Sequence, residues 1–568
     1  MSETAVKTGH PKGLWVLFGT EMWERFNFYG MRAILTLFMV HALMLGESNA
    51  SIIYGGFLAL CYLTPLLGGF VSDKYLGNRN CIMLGGSLMA TGQFLLFYSA
   101  TIYDSNLGTA KGFFWLGLLI IIFGNGFFKP NISSMVGSLY PAEAKTRLDS
   151  AFTIFYMGIN IGALLSQYFV PLFADVKVND VQDPTVFKWG YLMACIAMVL
   201  GTFIFFFLKD KYVVTPEGKA IGAKPNKNTT LGEVDDQAKF SSKSVATVVC
   251  LFIVLFFAFR YFLVGEFGFS NFEIGTLVKG IIYPIIYGAG ISLAVLILLD
   301  STLTKVETQR ISVIYIISFF IIFFWAAFEQ AGSSLTFIAS NQTDRHFFGW
   351  EMPASMVQIF NGLFVVILAV PFSLMWDKLR AKGREPISPN KQALGLALIA
   401  LSYFIIAHNV KSLQNSELLA VKWLVLLYLI QTCGELCLSP IGLSLVGKLA
   451  PKRFASLLYG VFFISNAAGY ALAGSLGSIL PATGDKFKKA ADLGINLQDV
   501  LDKKVIPTAE QIKLLADNQI NDHYQTFAGF EIHSLYEFFM VFVVLCGIAS
   551  IVLFALTPKL KKMMHGVR

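Results

Sequence analysis

Runs of about 20 apolar residues recur along the whole chain, and each is long enough to cross the hydrocarbon core of a bilayer. About fourteen such spans lie near 13–45, 51–72, 80–102, 113–138, 149–173, 187–208, 244–265, 274–299, 312–340, 354–376, 391–408, 420–449, 454–480 and 533–556. Of the 568 residues, 55% are hydrophobic and only 14% are charged. A soluble globule of this length would lack the polar residues to coat itself. The sequence therefore reads as an all-α polytopic membrane protein. The first run is long, carries charges and is not followed by a small-residue cleavage site, so no cleavable signal peptide is expected.

The net charge of +8 does not point to nucleic acid, because the Lys and Arg residues sit in short loops between apolar runs. Lys74/Arg79, Lys145/Arg147, the segment 209–243, Lys305/Arg310, Lys378–Arg384, Lys452/Arg453 and the tail Lys559–Arg568 alternate onto one side. The positive-inside rule makes that side, and both termini, cytoplasmic. The lysines of 481–532 disagree, but so long a loop is weakly constrained by the rule. All seven cysteines fall inside apolar runs, which argues against a disulfide framework. Cys433 and Cys437, one helical turn apart, read as packing residues. The histidines show no metal or haem spacing, so no metal site is expected.

A faint internal repeat divides the chain. "GFVSDKYLGNR" follows the second span and "SLMWDKLRAKGR" follows the span at 354–376, each an apolar end, Asp-Lys and a basic turn. Setting aside 244–265 and 274–299 as an insertion leaves two six-helix halves, an arrangement common among secondary transporters. The expected organisation is a cytoplasmic N-terminus (1–12), a six-helix bundle (13–208), a flexible linker (209–243), two inserted helices (244–299), and a second six-helix bundle (300–558) with a long outer loop at 481–532. A cytoplasmic tail (559–568) follows. The paired turns resemble the loop motif of the major facilitator superfamily, which implies that fold.

Charges inside the spans require a reason. "GTEMWERFNFYGMR" (19–32) places Glu21, Glu24, Arg25, Phe28, Tyr29 and Arg32 on one helix side. Left in lipid, each charge would cost roughly 2.5–3.5 kcal/mol, so this side must face protein or water. A purely structural ion-pair cluster is the plainer reading, but buried pairs are poor stabilisers. Further charges decide against it: Lys129 in the fourth span, Glu329 in the first span of the second half and Glu435 in that half's fourth. First and fourth helices of each half would line a central cavity. Tyr62, Asn160, Asn361 and Ser439 fall on spans bordering it, and Trp325, one turn from Glu329, reads as its wall.

The ordered blocks "EMWERFNFYG", "YLTPLLGG", "FFKPNISSMVG", "DSAFTIFYMGINIGAL", "FWAAFEQAGSSL" and "GELCLSPIGLSLVGKLAP" resemble the proton-dependent oligopeptide transporters, the peptide branch of the major facilitator superfamily. The resemblance spans nearly the full chain, and the inserted helix pair is usual in bacterial members, which implies a bacterial inner membrane. It implies proton-coupled import of di- and tripeptides, with no cofactor beyond the proton gradient. It also carries three departures: Gly55 stands where some members have histidine, Phe462 in "GVFF" where tryptophan is frequent, and "FNG" at Asn361 where Asn-Pro is usual.

A dipeptide is a zwitterion of nearly fixed length, so a cavity accepting many of them should hold the two termini by charge. Arg25, Arg32 and Lys129 can meet the carboxylate, and Glu435 with Asn160 and Asn361 the ammonium, a division the resemblance also implies. Tyr29, Tyr62 and Trp325 would shape side-chain pockets, with Ser439 near the ammonium end. For coupling, Lys129 can pair with Glu21 or Glu24 until protonation releases it to the peptide, with Arg25 and Glu435 in the same set. The resemblance implies an outer gate between Arg32 and Glu329. An alternative keeps the fold and carries nitrate or another small organic anion, which would need the basic groups but not Glu435. A polytopic enzyme or receptor is the distant alternative, for which no catalytic motif or signalling module is present.

Overall fold

The computed structural model describes residues 9–140, 147–178, 181–215, 218–224, 240–270, 272–347, 349–414 and 417–567. The chain is helical nearly throughout. Its first half runs through α1 (Lys12–His41), α2 (Glu47–Val71), α3 (Gly77–Ile102), α4 (Leu107–Ser138), α5 (Leu148–Ala174) and α6 (Phe187–Tyr212). The insertion is α7 (Ser242–Val264), α8 (Ile274–Leu277) and α9 (Tyr283–Leu298), the last two joined by a π-turn at Val278–Ile282. The second half continues as α10 (Lys305–Phe328), α11 (Ser334–Asn341), α12 (Ile359–Ala381), α13 (Ser388–Val410), α14 (Lys422–Leu449) and α15 (Ala455–Gly477). Short helices α16 (Gly484–Asp492), α17 (Leu497–Leu501) and α18 (Ala509–Asp517) precede the last long helix, α19 (Leu535–Met563).

Among the described residues, eleven helical stretches are long and apolar enough to cross a membrane. One of them, Glu47–Ile102, contains both α2 and α3, while the long helices α1 and α14 stand outside that set. The architecture is thus consistent with about fourteen membrane helices. Helix α1 owes its low hydropathy to Lys12, Glu21, Glu24, Arg25 and Arg32.

The chain packs as two units, Met1–Ile34 with Leu63–Gly232 and Leu35–Tyr62 with Glu233–Arg568. Helices α1 and α2 each contribute to both. In the first unit, Leu14, Leu17, Met89, Phe128, Ile132, Met198 and Phe205 form a buried core shared by α1, α3, α4 and α6. α5 approaches α1 so closely that a Cβ on Gly162 would lie 2.2 Å from the Met22 carbonyl oxygen. Only glycine permits that crossing.

Three features differ from the sequence reading. The start of the linker is docked: Arg79 donates to the Ile221 carbonyl at 2.7 Å and pairs with Asp210 at 2.5 Å, and Ile221 is buried in the first unit's core. The span read as 312–340 breaks into α10, a 3-10 turn Glu329–Gly332 and α11. The loop 481–532 is a folded subdomain, in which Ala490, Leu497, Val500, Leu501, Leu515 and Ile520 close an apolar cluster of their own. Its short helices carry Asn and Thr N-caps that apolar periodicity alone does not reveal.

Candidate functional site

Helix α1 carries the charge cluster of the first unit. Glu21, Glu24 and Arg25 are 2%, 0% and 4% exposed. Arg25 Nε lies 2.9 Å from Glu21 Oε1 and 2.5 Å from Glu24 Oε2, so one guanidinium bridges both acids. Glu21 and Arg25, four residues apart, are turn-to-turn neighbours on the helix, and the same guanidinium also reaches the adjacent Glu24. Lys129, half-buried on α4, is near enough for its charge to act on Glu24 alongside Arg25 and Glu21.

The rest of that helix side is lined with aromatic rings. The Arg25 guanidinium sits 5.8 Å from the Phe28 ring centroid, and that of Arg32 sits 5.6 Å from Tyr29. Tyr29 and Arg32 are half-buried. Asn160 is half-buried on α5 and donates to its own helix at the Tyr156 carbonyl, 2.9 Å away. Two residues on, the missing Cβ of Gly162 would lie 3.0 Å from Arg25 Cβ, which ties α5 to the cluster. Sequence reasoning missed Asn27 and Gln93, a fully buried amide pair at 2.6 Å linking α1 to α3.

The second unit holds a different carboxylate. Glu435, half-buried on α14, accepts a hydrogen bond from Asn361 Nδ2 at 3.0 Å. The same Asn361 amide reaches Thr432 Oγ1 at 3.1 Å, and Thr432 donates to the Tyr428 carbonyl of its own helix. Glu435 and Asn361, both named from sequence, are therefore brought together; Thr432, one turn before Glu435, was not anticipated. The side chain of Ser439 lies outside the described residues.

Aromatic side chains form a row in this unit. Tyr470 stands with its ring centroid 4.6 Å from Tyr62 and 5.8 Å from Trp325. Tyr470 is 1% exposed and gave no polar signal in the sequence. Glu329, 4% exposed, sits on the 3-10 turn, where the next residue, Gln330, donates to the carbonyls of Ala326 and Ala473.

The departures at 55 and 462 have local causes. A Cβ on Gly55 would lie 2.7 Å from both Gly474 Cα and the Tyr470 carbonyl oxygen, so a histidine has no room there. Phe462 fills the space beside Gly442, whose Cβ would lie 2.6 Å from the ring.

Residues 79–490 match the protein-family model PTR2, the POT family. The chain belongs to the POT family. Among POT relatives, the di-/tripeptide transporter of Lactococcus lactis subsp. lactis (strain IL1403) is 32% identical over 82% of this chain and 88% of its own length. The peptide transporter YePEPT of Yersinia enterocolitica subsp. palearctica serotype O:3 (strain YE-P4) is 32% identical over 84% of this chain and 89% of its own. A solved peptide transporter POT in complex with sulfate is 27% identical, covers 99% of this chain and 97% of that one, and superposes with a TM-score of 0.71. The POT fold and the family read from the sequence motifs are thus those found. A POT protein is a membrane transporter, not an enzyme, and needs no cofactor.

Proposed function

We propose that this POT protein imports di- and tripeptides together with protons by alternating access, with the two peptide termini held by opposite charges. The observation that carries the proposal is the division of charge. One unit gathers cations with two buried acids, Arg25 and Lys129 with Glu21 and Glu24. The other presents Glu435 beside an amide. The peptide carboxylate meets Arg25, Arg32 or Lys129, and its ammonium meets Glu435, with Asn160 and Asn361 completing the hydrogen bonds. Tyr29, Tyr62 and Trp325 bound the side-chain space. The curated relatives named for di- and tripeptides support this cargo.

Coupling follows from competition for counter-ions. Protonating Glu24 or Glu21 releases Arg25 and Lys129 toward the peptide carboxylate. Return of the proton to the cytoplasmic side restores the original pairing. One charge moved inward is worth about 2.3 kcal/mol per 100 mV, which adds to the proton gradient. The loop charges support a cytoplasmic side for both termini, and the bacterial relatives support a bacterial inner membrane.

The test is uptake of a labelled dipeptide into proteoliposomes under an imposed pH gradient. Unlabelled dialanine and tripeptide should compete, whereas free amino acid, tetrapeptide and nitrate should not. Uptake indifferent to the gradient, or displaced by nitrate in preference to dialanine, would overturn the reading.

A further inference from the structure

Helices α1 and α2 single out one corner of the molecule. Each has one part in the first unit, yet residues 35–62, which include the α1–α2 turn, pack with the second. Elements from across that unit hold this corner. From the inserted helices, the Tyr283 hydroxyl donates to the Ile52 carbonyl at 2.9 Å. Glu273 Oε1 accepts from Asn49 Nδ2 at 2.6 Å. Thr36 Oγ1 donates to the Gly332 carbonyl at 2.9 Å, at the end of the 3-10 turn that follows α10. From α15, Gly474 abuts Gly55 with no space for a side chain.

The strongest tie is ionic. Glu47, at the first turn of α2 and 9% exposed, accepts from Lys486 Nζ of α16 at 2.5 Å and from Asn341 Nδ2 of α11 at 2.9 Å. One carboxylate thereby joins α2 to the 481–532 subdomain and to the end of α11. Gln519, near the end of that subdomain, adds a bond to the Val40 carbonyl at 3.2 Å.

The inserted pair is stiff enough to serve as a brace. Arg260, 1% exposed, donates to the carbonyls of Gly268 and Gly280, pairs with Glu266 at 3.2 Å and lies 4.0 Å from the Phe269 ring centroid. A buried guanidinium that spends its donors on its own connecting turn fixes that turn. Tyr283 and Glu273 then project from a rigid tip.

We propose that the inserted helices and the 481–532 subdomain form a latch on the α1–α2 corner. Glu47 with Lys486 is one bolt, and Glu273 with Tyr283 is the other. The latch rests on the alternating-access reading: a carrier must let this corner leave the second unit when the outer end opens. Pro65 lies just past the boundary at Leu63 and removes one helical hydrogen bond there, which gives α2 a place to bend. The latch biases the equilibrium toward the closed outer end, and weakening either bolt shifts the population toward the open one. This gives the inserted pair and the long loop a task that the binding residues do not perform.

The test uses Ser51→Cys, at a fully buried position on α2, in a chain whose native cysteines are replaced, reacted with a water-soluble maleimide in proteoliposomes. Glu47→Gln should raise the labelling rate at least fivefold, and Glu273→Ala with Tyr283→Phe should do the same. Exchanging the charges, Glu47→Lys with Lys486→Glu, should return the rate toward that of the intact pair. Labelling unchanged within twofold in both loosened variants would overturn the latch. Hydrogen exchange at the amides of 47–56 reads the same opening in a chain that keeps its cysteines. Faster exchange in Glu47→Gln supports the latch, and equal exchange overturns it. Neither readout requires transport, so failure of dialanine uptake with the expected labelling sinks the peptide cargo alone and leaves the alternating access on which the latch rests.

Discussion

The carboxylates of α1 and of α14 are both intramembrane acids, but they are held in opposite ways. Glu21 and Glu24 are buried and share one guanidinium. Glu435 is half-buried and accepts a hydrogen bond from the neutral amide of Asn361. A buried acid tied to a cation changes its surroundings when it takes a proton, because the cation loses its counter-charge. A hydrogen bond from a neutral amide orients a carboxylate without cancelling its charge. The first arrangement suits a proton switch and the second an ammonium receptor.

The largest test of this contrast is on the switch. Glu24→Gln keeps the shape of the side chain and removes its titration. Accumulation of dipeptide driven by the gradient should fall to that of empty liposomes, whereas exchange of peptide across the membrane should survive. A potential of 100 mV supports roughly 50-fold accumulation per net charge, so the loss is easily read. Lys129→Ala should also lose active uptake. If Glu24→Gln concentrates peptide as well as the unmodified protein, the division of roles is wrong.

The receptor side should respond differently. Glu435→Gln still offers an oxygen to Asn361, so the fold should hold while the charge is lost. Dipeptide binding should weaken by about 10- to 100-fold, the equivalent of one charge-assisted hydrogen bond of about 1.5–3 kcal/mol. Binding isotherms with dialanine and with an N-acetylated dipeptide would show this, the acetylated form losing its disadvantage in the variant. Equal discrimination in both proteins would remove Glu435 from the ammonium site.

The contrast also marks what the sequence discloses. Charged residues within apolar runs announced Glu21, Glu24, Arg25, Lys129, Glu329 and Glu435, because charge in such runs has few explanations. The helical repeat and the loop motif announced the fold. Tyr470 was silent, since an aromatic residue in an apolar helix has no reason to stand out. Asn27 and Gln93 were silent because one amide alone reads as interhelical glue, and their pairing is a fact of three dimensions. The 3-10 break at Glu329–Gly332 escaped because no proline marks it within the apolar span around it. Glu47 was read as loop, although its two partners lie 294 and 439 residues away.

Between the two acids lies a packing test. Gly55→Ala forces a methyl group against Gly474 and the Tyr470 carbonyl, a contact of 2.7 Å before relaxation. Overpacking of this kind costs typically 1–3 kcal/mol. The midpoint of thermal unfolding in detergent should fall by several degrees, and Gly55→His should fall further. A histidine accepted without loss would mean that the α2–α15 crossing opens readily, and the glycine would then need another reason.

A third carboxylate sets the lower end of the scale. Glu385, in the turn after α12, accepts from Arg380 at 2.7 Å and pairs with Lys391 at 2.6 Å. Hydrogen bonds from Arg380 chiefly, then from Lys391, push its carboxyl down from 4.5 to about 2. A folded-state value below the unfolded one means that the pair stabilises fully above pH 4.5 and loses that contribution as the pH falls through about 2. Because Arg380 is 64% exposed, water screens the pair and its contribution to stability stays small. Glu385→Gln should therefore lower the unfolding midpoint slightly at pH 7 and progressively less as the pH falls toward 2, with dipeptide accumulation untouched. An effect on transport comparable to that of Glu24→Gln would show that a solvated loop charge and a buried helical one act alike here, and the contrast between regions would fail.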